Sequence, residues 1–146
     1  MAKRERRAEI AQACIDRFVG KSYDCAKNRD CIKLAAHAMR KAGKSTGLLK
    51  GQRYTTEAGG VKVMRKLGFA GLVEALDAAG LPRRPSVAFA MPGDIIALKT
   101  EADRPFGCAL TVCAEAGGHK VIGFVNGIGA VMRVDDPSAY IAAWEV

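Results

Sequence analysis

A cysteine that directly follows a helix-capping residue is the first place in this chain where chemistry can reside. Asp30 precedes Cys31-Ile-Lys-Leu-Ala-Ala-His-Ala-Met-Arg-Lys-Ala, and Gly43 closes the run. An N-cap aspartate accepts hydrogen bonds from first-turn amides, so the pattern predicts a helix with Cys31 in its first turn. The free amides and the helix dipole there stabilise a thiolate, which is how a nucleophilic thiol is prepared. The same position also suits a small buried residue that lets a helix pack closely on a sheet, and position alone leaves both readings open.

A cysteine hydrolase also needs a base within hydrogen-bonding reach, usually a histidine oriented by a third polar group. The chain has two histidines, His37 and His119. His37 lies six residues after Cys31 on the same predicted helix, about 240° around its axis, and so points elsewhere. His119 follows a Gly-Gly turn at the start of a predicted strand, where it reads either as an exposed hairpin residue or as a displaced base.

The five cysteines, Cys14, Cys25, Cys31, Cys108 and Cys113, are odd in number and accompany no export signal, so reduced thiols are expected. Their spacing fits zinc knuckles poorly, and the sequence assigns no metal or cofactor.

The elements that must position Cys31 follow from periodicity. Ile10, Cys14, Ile15, Phe18 and Val19 recur at helical spacing within residues 4–19, before Gly20. Thr55-Thr56 precede a third helix carrying Val61, Met64 and Leu67, and residues 71–79 make a shorter fourth. Leu81-Pro-Arg-Arg-Pro85 then ends the helical pattern. Short apolar runs follow at 94–99, 108–113 and 119–125, with turn signals at Ala116-Gly-Gly and Asn126-Gly127 and a further run at 130–134. Asp136-Pro137 predicts a short helical turn that returns Trp144 to the sheet as a C-terminal anchor. Helices over about 4–80 and strands over about 87–146 predict an α+β fold, a helical N-terminal half packed on a C-terminal antiparallel sheet. Leu34, Ala35 and Ala38 would pack on the strands at 94–99 and 108–113.

At 146 residues the chain suits one domain over 1–146, and no apolar stretch approaches the roughly 18 residues of a membrane span. A net charge of +8, from 23 Lys plus Arg against 15 Asp plus Glu, fits an ordinary solvated surface and equally allows contact with nucleic acid, an anionic wall polymer or an acidic partner protein. No nucleic-acid-binding signature accompanies it, so nucleic acid is neither chosen nor excluded as a partner.

Four features occur in order: Asp30-Cys31 opening a helix, the block Leu49-x-Gly51-x-x-Tyr54-Thr55-Thr56-Glu57-x-Gly59, Pro92-Gly93-Asp94 leading a strand, and the terminal Ala143-Trp144-Glu145-Val146. With the hairpin at 108–125, this set resembles a phage-encoded branch of the NlpC-type papain-like cell-wall peptidases over about residues 20–146. The resemblance implies a papain-like fold and Cys31 at the nucleophile position. It also implies synthesis in the host cytoplasm and a final place in the virion, in the phage tail. Active members begin the hairpin's first strand with the catalytic histidine, in a His-Val-Gly-Ile pattern; the corresponding position here is Ala109. The expected role is therefore a tail component, at the tip or hub, that keeps a degenerate peptidase fold as an interaction module. Its partners would be other tail proteins and, secondarily, peptidoglycan. The alternatives are an active endopeptidase, with Cys31 as nucleophile and His119 as base, and a tail-assembly chaperone.

Overall fold

The computed structural model describes residues 3–44, 47–100 and 106–146, so Met1-Ala2 of the basic opening and Ser45-Thr46 of the loop after the second helix lie outside the described residues. Among the described residues, four α-helices precede a sheet: α1 (Lys3–Phe18), α2 (Cys31–Lys41), α3 (Glu57–Lys66) and α4 (Leu72–Ala78). The strands are β1 (Ile95–Leu98), β2 (Ala109–Cys113), β3 (Lys120–Val125), β4 (Ile128–Arg133) and β5 (Tyr140–Trp144). They form one antiparallel sheet in the order β4-β3-β2-β1-β5, a meander whose last strand returns beside its first. Among the described residues no helix is long and apolar enough to cross a membrane.

Local chemistry explains where the helices begin. The Asp30 carboxylate accepts from Lys33 N at 2.8 Å, and Thr56 Oγ1 accepts from Gly59 N at 3.0 Å. The fourth strand starts at Ile128, two residues before its expected beginning, because Asn126 and Gly127 both adopt positive φ and make a tight hairpin turn.

The helices cover one face of the sheet. Leu34 and Ala38 of α2 pack with Val112, Ile122 and the α1 residues Cys14 and Phe18, while Ala35 packs with Ile95, Ala97 and Leu110. A smaller cluster of Ile96, Leu98, Cys113, Val121 and Ala143 covers the opposite face, closed by Val87, Ala90 and Tyr140. Both outer edges are capped by irregular chain. Residues 19–23 run along β4, with Gly20 N donating to Gly129 O at 2.8 Å and Tyr23 N to Gly127 O at 2.7 Å. Residues 82–84 run along β5, with Arg84 N donating to Ala143 O at 2.8 Å and Glu145 N to Pro82 O at 2.8 Å. Such cover removes the open edges that promote aggregation.

The Pro92-Gly93-Asp94 run acts as a joint. Asp94 is fully buried and accepts from Arg7 Nη1, Arg84 Nε and Met91 N, each at 2.9 Å, and from Val146 N at 3.1 Å. One carboxylate thus ties α1, the 82–84 segment and the C-terminal residue to the start of β1.

Candidate functional site

Cys31 is the first residue of α2 and looks into a cavity of about 660 Å³. The cavity exists because β2 and β3 part company. Their ladder holds only Val112 with Ile122 and Cys113 with Val121, so Ala109, Leu110 and Thr111 have no ladder partner on that side. The gap is walled by Tyr23, Glu57, Phe106, Phe124 and the Asn126-Gly127 turn. Edge-to-face contacts of Phe124 with Phe18 and Tyr23, at 6.2 and 5.3 Å between centroids, brace that wall.

Asp30 holds the cysteine's turn in place from beneath. Only 1% exposed, it spends one oxygen on Lys33 N and the other on the Tyr54 hydroxyl, which donates at 2.8 Å. Tyr54 reaches it because α3 carries Gly59-Gly60, where a Cβ on Gly60 would stand 3.1 Å from both the Tyr54 ring and Phe106. The bare helix surface lets the edge of the Tyr54 ring and the tip of Phe106 approach it closely.

Burial outweighs the helix N-terminus at Cys31. Burial pushes its pKa up to about 12; a hydrogen bond from the Leu110 backbone opposes this, and the nearby Asp30 carboxylate reinforces it. The thiol is therefore protonated at neutral pH.

The two histidines lie elsewhere. His37 is buried and meets the edge of Phe18 at 5.8 Å on the α1 side of α2. His119 is exposed at the foot of β3, while the cavity lies beside Phe124 near the other end of that strand. Five residues of extended chain separate the two by about 17 Å. Among the described residues, no imidazole lines the cavity.

The strand register shows which residues at the start of β2 share a face with Cys31. Side chains alternate across a strand. Leu110 and Val112 face the helices, so Ala109 and Thr111 face away, as their pairing with Leu98 and Ile96 requires. Ala109 therefore borders the cavity from the far side of the sheet. The residue on the helix side at the mouth of β2 is Cys108, packed in the same cluster as Leu110 and lining the same cavity as Cys31. Sequence reasoning missed Cys108 and the support given by Tyr54. Counting back by twos from Val112 would have found the first.

Among the described residues no group of three or more His, Cys, Asp and Glu side chains is placed to hold a metal ion. A model of a protein family, described as a domain of unknown function (DUF6950), matches residues 2–146. No curated protein and no solved structure matches the chain.

Proposed function

Since the chain belongs to the DUF6950 family, whose description assigns no function, its role has to be argued from its own site, and we propose that it is a non-hydrolytic relative of the NlpC-type papain-like peptidases. In this reading it serves as an interaction module in a bacteriophage tail, at the tip or hub. The observation that carries the loss of hydrolysis is the cavity beside Cys31, which no imidazole lines among the described residues. A cysteine on the first turn of a helix facing the first residues of a hairpin strand supports the papain-like reading. The tail location rests on the sequence resemblance.

Amide hydrolysis by a thiol needs a group that takes the thiol's proton and returns it to the leaving amine. Cys31 is held protonated by its surroundings: Leu110 and Phe106 carry no group that could shuttle the proton, and the Glu57 carboxylate in the same lining pushes the thiol's pKa further up. What the site keeps is a shaped cleft with an apolar floor and a polar rim, suited to binding.

Purified particles of the encoding phage, separated into heads and tails, should carry this chain's peptides in the tail fraction. Absence from finished particles would replace the tail role by that of an assembly chaperone. Presence together with wall hydrolysis that disappears in Cys31→Ala would restore the endopeptidase.

A further inference from the structure

A cysteine peptidase sets an imidazole across from its thiol; this cavity sets a second thiol there. We propose that Cys31 and Cys108 form a reversible dithiol–disulfide pair that closes across the cavity when the protein meets a small disulfide such as oxidised glutathione. The inference goes beyond the binding role and does not depend on the tail location.

Three observations carry it. Cys31 and Cys108, from elements far apart in sequence, line one cavity. Strand parity turns Cys108 toward α2, in the same cluster as Leu110, and Cys31 packs against that cluster. The remaining cysteines have other settings: Cys14 is buried between α1 and the sheet, Cys25 donates to the Tyr23 hydroxyl at 3.7 Å, and Cys113 faces the far side with its Sγ donating to Glu115 O at 3.0 Å. All five cysteines are free.

The two thiols differ in access, which orders the steps. Cys31 is partly open to the cavity and Cys108 is 3% exposed. Cys31 gives up its proton and its sulfur attacks oxidised glutathione, breaking that S–S bond; one glutathione leaves as a thiolate and takes up a proton. Cys108, losing its proton in turn, then attacks the Cys31 sulfur of the mixed disulfide, and the second glutathione leaves as a thiol. In sum two protein thiols are oxidised and one disulfide is reduced to two glutathione thiols. The new bond ties the start of α2 to the start of β2 and bars the cleft. In a reducing cytoplasm the cleft stays open; in an oxidising medium it closes.

Burial holds the Cys31 pKa near about 12 and that of Cys108 near about 11, so only the small thiolate fraction reacts and closure accelerates with pH. Native protein should be incubated with oxidised glutathione at several pH values, quenched with acid and an alkylating reagent, and mapped without reduction. The expected product is a Cys31–Cys108 cross-linked peptide about 2 Da lighter than its reduced parts, opened again by dithiothreitol. Its rate of formation should rise about tenfold per pH unit between roughly 7 and 9. Cys108→Ser should stop at one glutathione on Cys31; if that variant misfolds, the wild-type map still decides. Stable glutathionylation of wild-type Cys31 without the cross-link, a bond from Cys31 to Cys25, or no reaction at Cys31 by about pH 9 would each overturn the proposal. None of these outcomes bears on peptide hydrolysis, so the two readings fail separately.

Discussion

The Cys31 thiol sits between opposing influences. The α2 N-terminus and the Leu110 backbone favour a thiolate, while burial and the Asp30 carboxylate beneath it oppose one. Burial wins, so alkylation of Cys31 should show a midpoint well above that of an ordinary thiol. Strand parity sharpens the test. Cys108→His should bring an imidazole to the thiol's side of the sheet and lower that midpoint, whereas Ala109→His, on the other face, should leave it unchanged. The reverse pattern in an alkylation series against pH would show that the register of β2 is misread. His37 makes a second prediction at this scale. Burial first, then Arg17, Lys41 and Arg40, lower its pKa from 6.5 to about 4. The native state thus refuses a proton that the unfolded chain accepts, and stability falls as pH drops from about 6.5 to about 4, levelling off below. A urea-midpoint series should show this decline shrink in His37→Phe, and an imidazole NMR titration near 6.5 in the native protein would contradict it.

Gly129 in β4 shows how closely the elements fit. A Cβ there would collide with the Phe18 carbonyl oxygen at the end of α1, and the Gly129 amide and carbonyl bond to Lys21 O and Gly20 N. Gly129→Ala should cost at least about 2 kcal/mol, because backbone cannot move aside as a side-chain tip can. An unchanged urea midpoint would mean that the 19–23 strip is only loosely applied to the sheet. Trp144 of β5 anchors the other edge. Fully buried, its indole N–H donates to Asp77 Oδ1 at 2.9 Å, and Trp144→Ala should cost about 3–5 kcal/mol in the same assay; under about 1 kcal/mol would make β5 peripheral. The contrast between these elements explains what could be read in advance. The Asp30 and Thr56 caps and the Asn126-Gly127 turn were legible because each is settled within a few residues. The Asp30–Tyr54 bond spans 24 residues and the Trp144–Asp77 bond 67, and no local pattern announces either. The ionisation of Cys31 stayed open between two readings for the same reason, since burial is a property of the packed molecule. Which way Ala109 faces is likewise set by its pairing with Leu98 across the sheet, which no motif around it announces.

At the scale of the whole molecule, the helices, the capped sheet edges and the Asp94 joint hold a cleft beside Cys31 that no imidazole lines among the described residues. Asp94 shares its charge between Arg7 and Arg84, and Glu145 approaches the same two arginines at 3.6 and 3.7 Å, so the C-terminal residues are clamped to α1. That frame is rigid scaffolding for the Cys31 turn. Hydrolysis needs more than scaffolding, since loss of one member of a thiol–imidazole pair costs about 10⁴-fold or more in rate. The most direct test is to incubate purified wild-type protein with peptidoglycan, beside Cys31→Ala and His119→Ala, and to measure new amino termini. The proposed non-hydrolytic role predicts no release by wild type or His119→Ala above the Cys31→Ala background. Release by wild type that is lost in both variants would contradict it, for it would require His119 to reach a thiol at the other end of its strand.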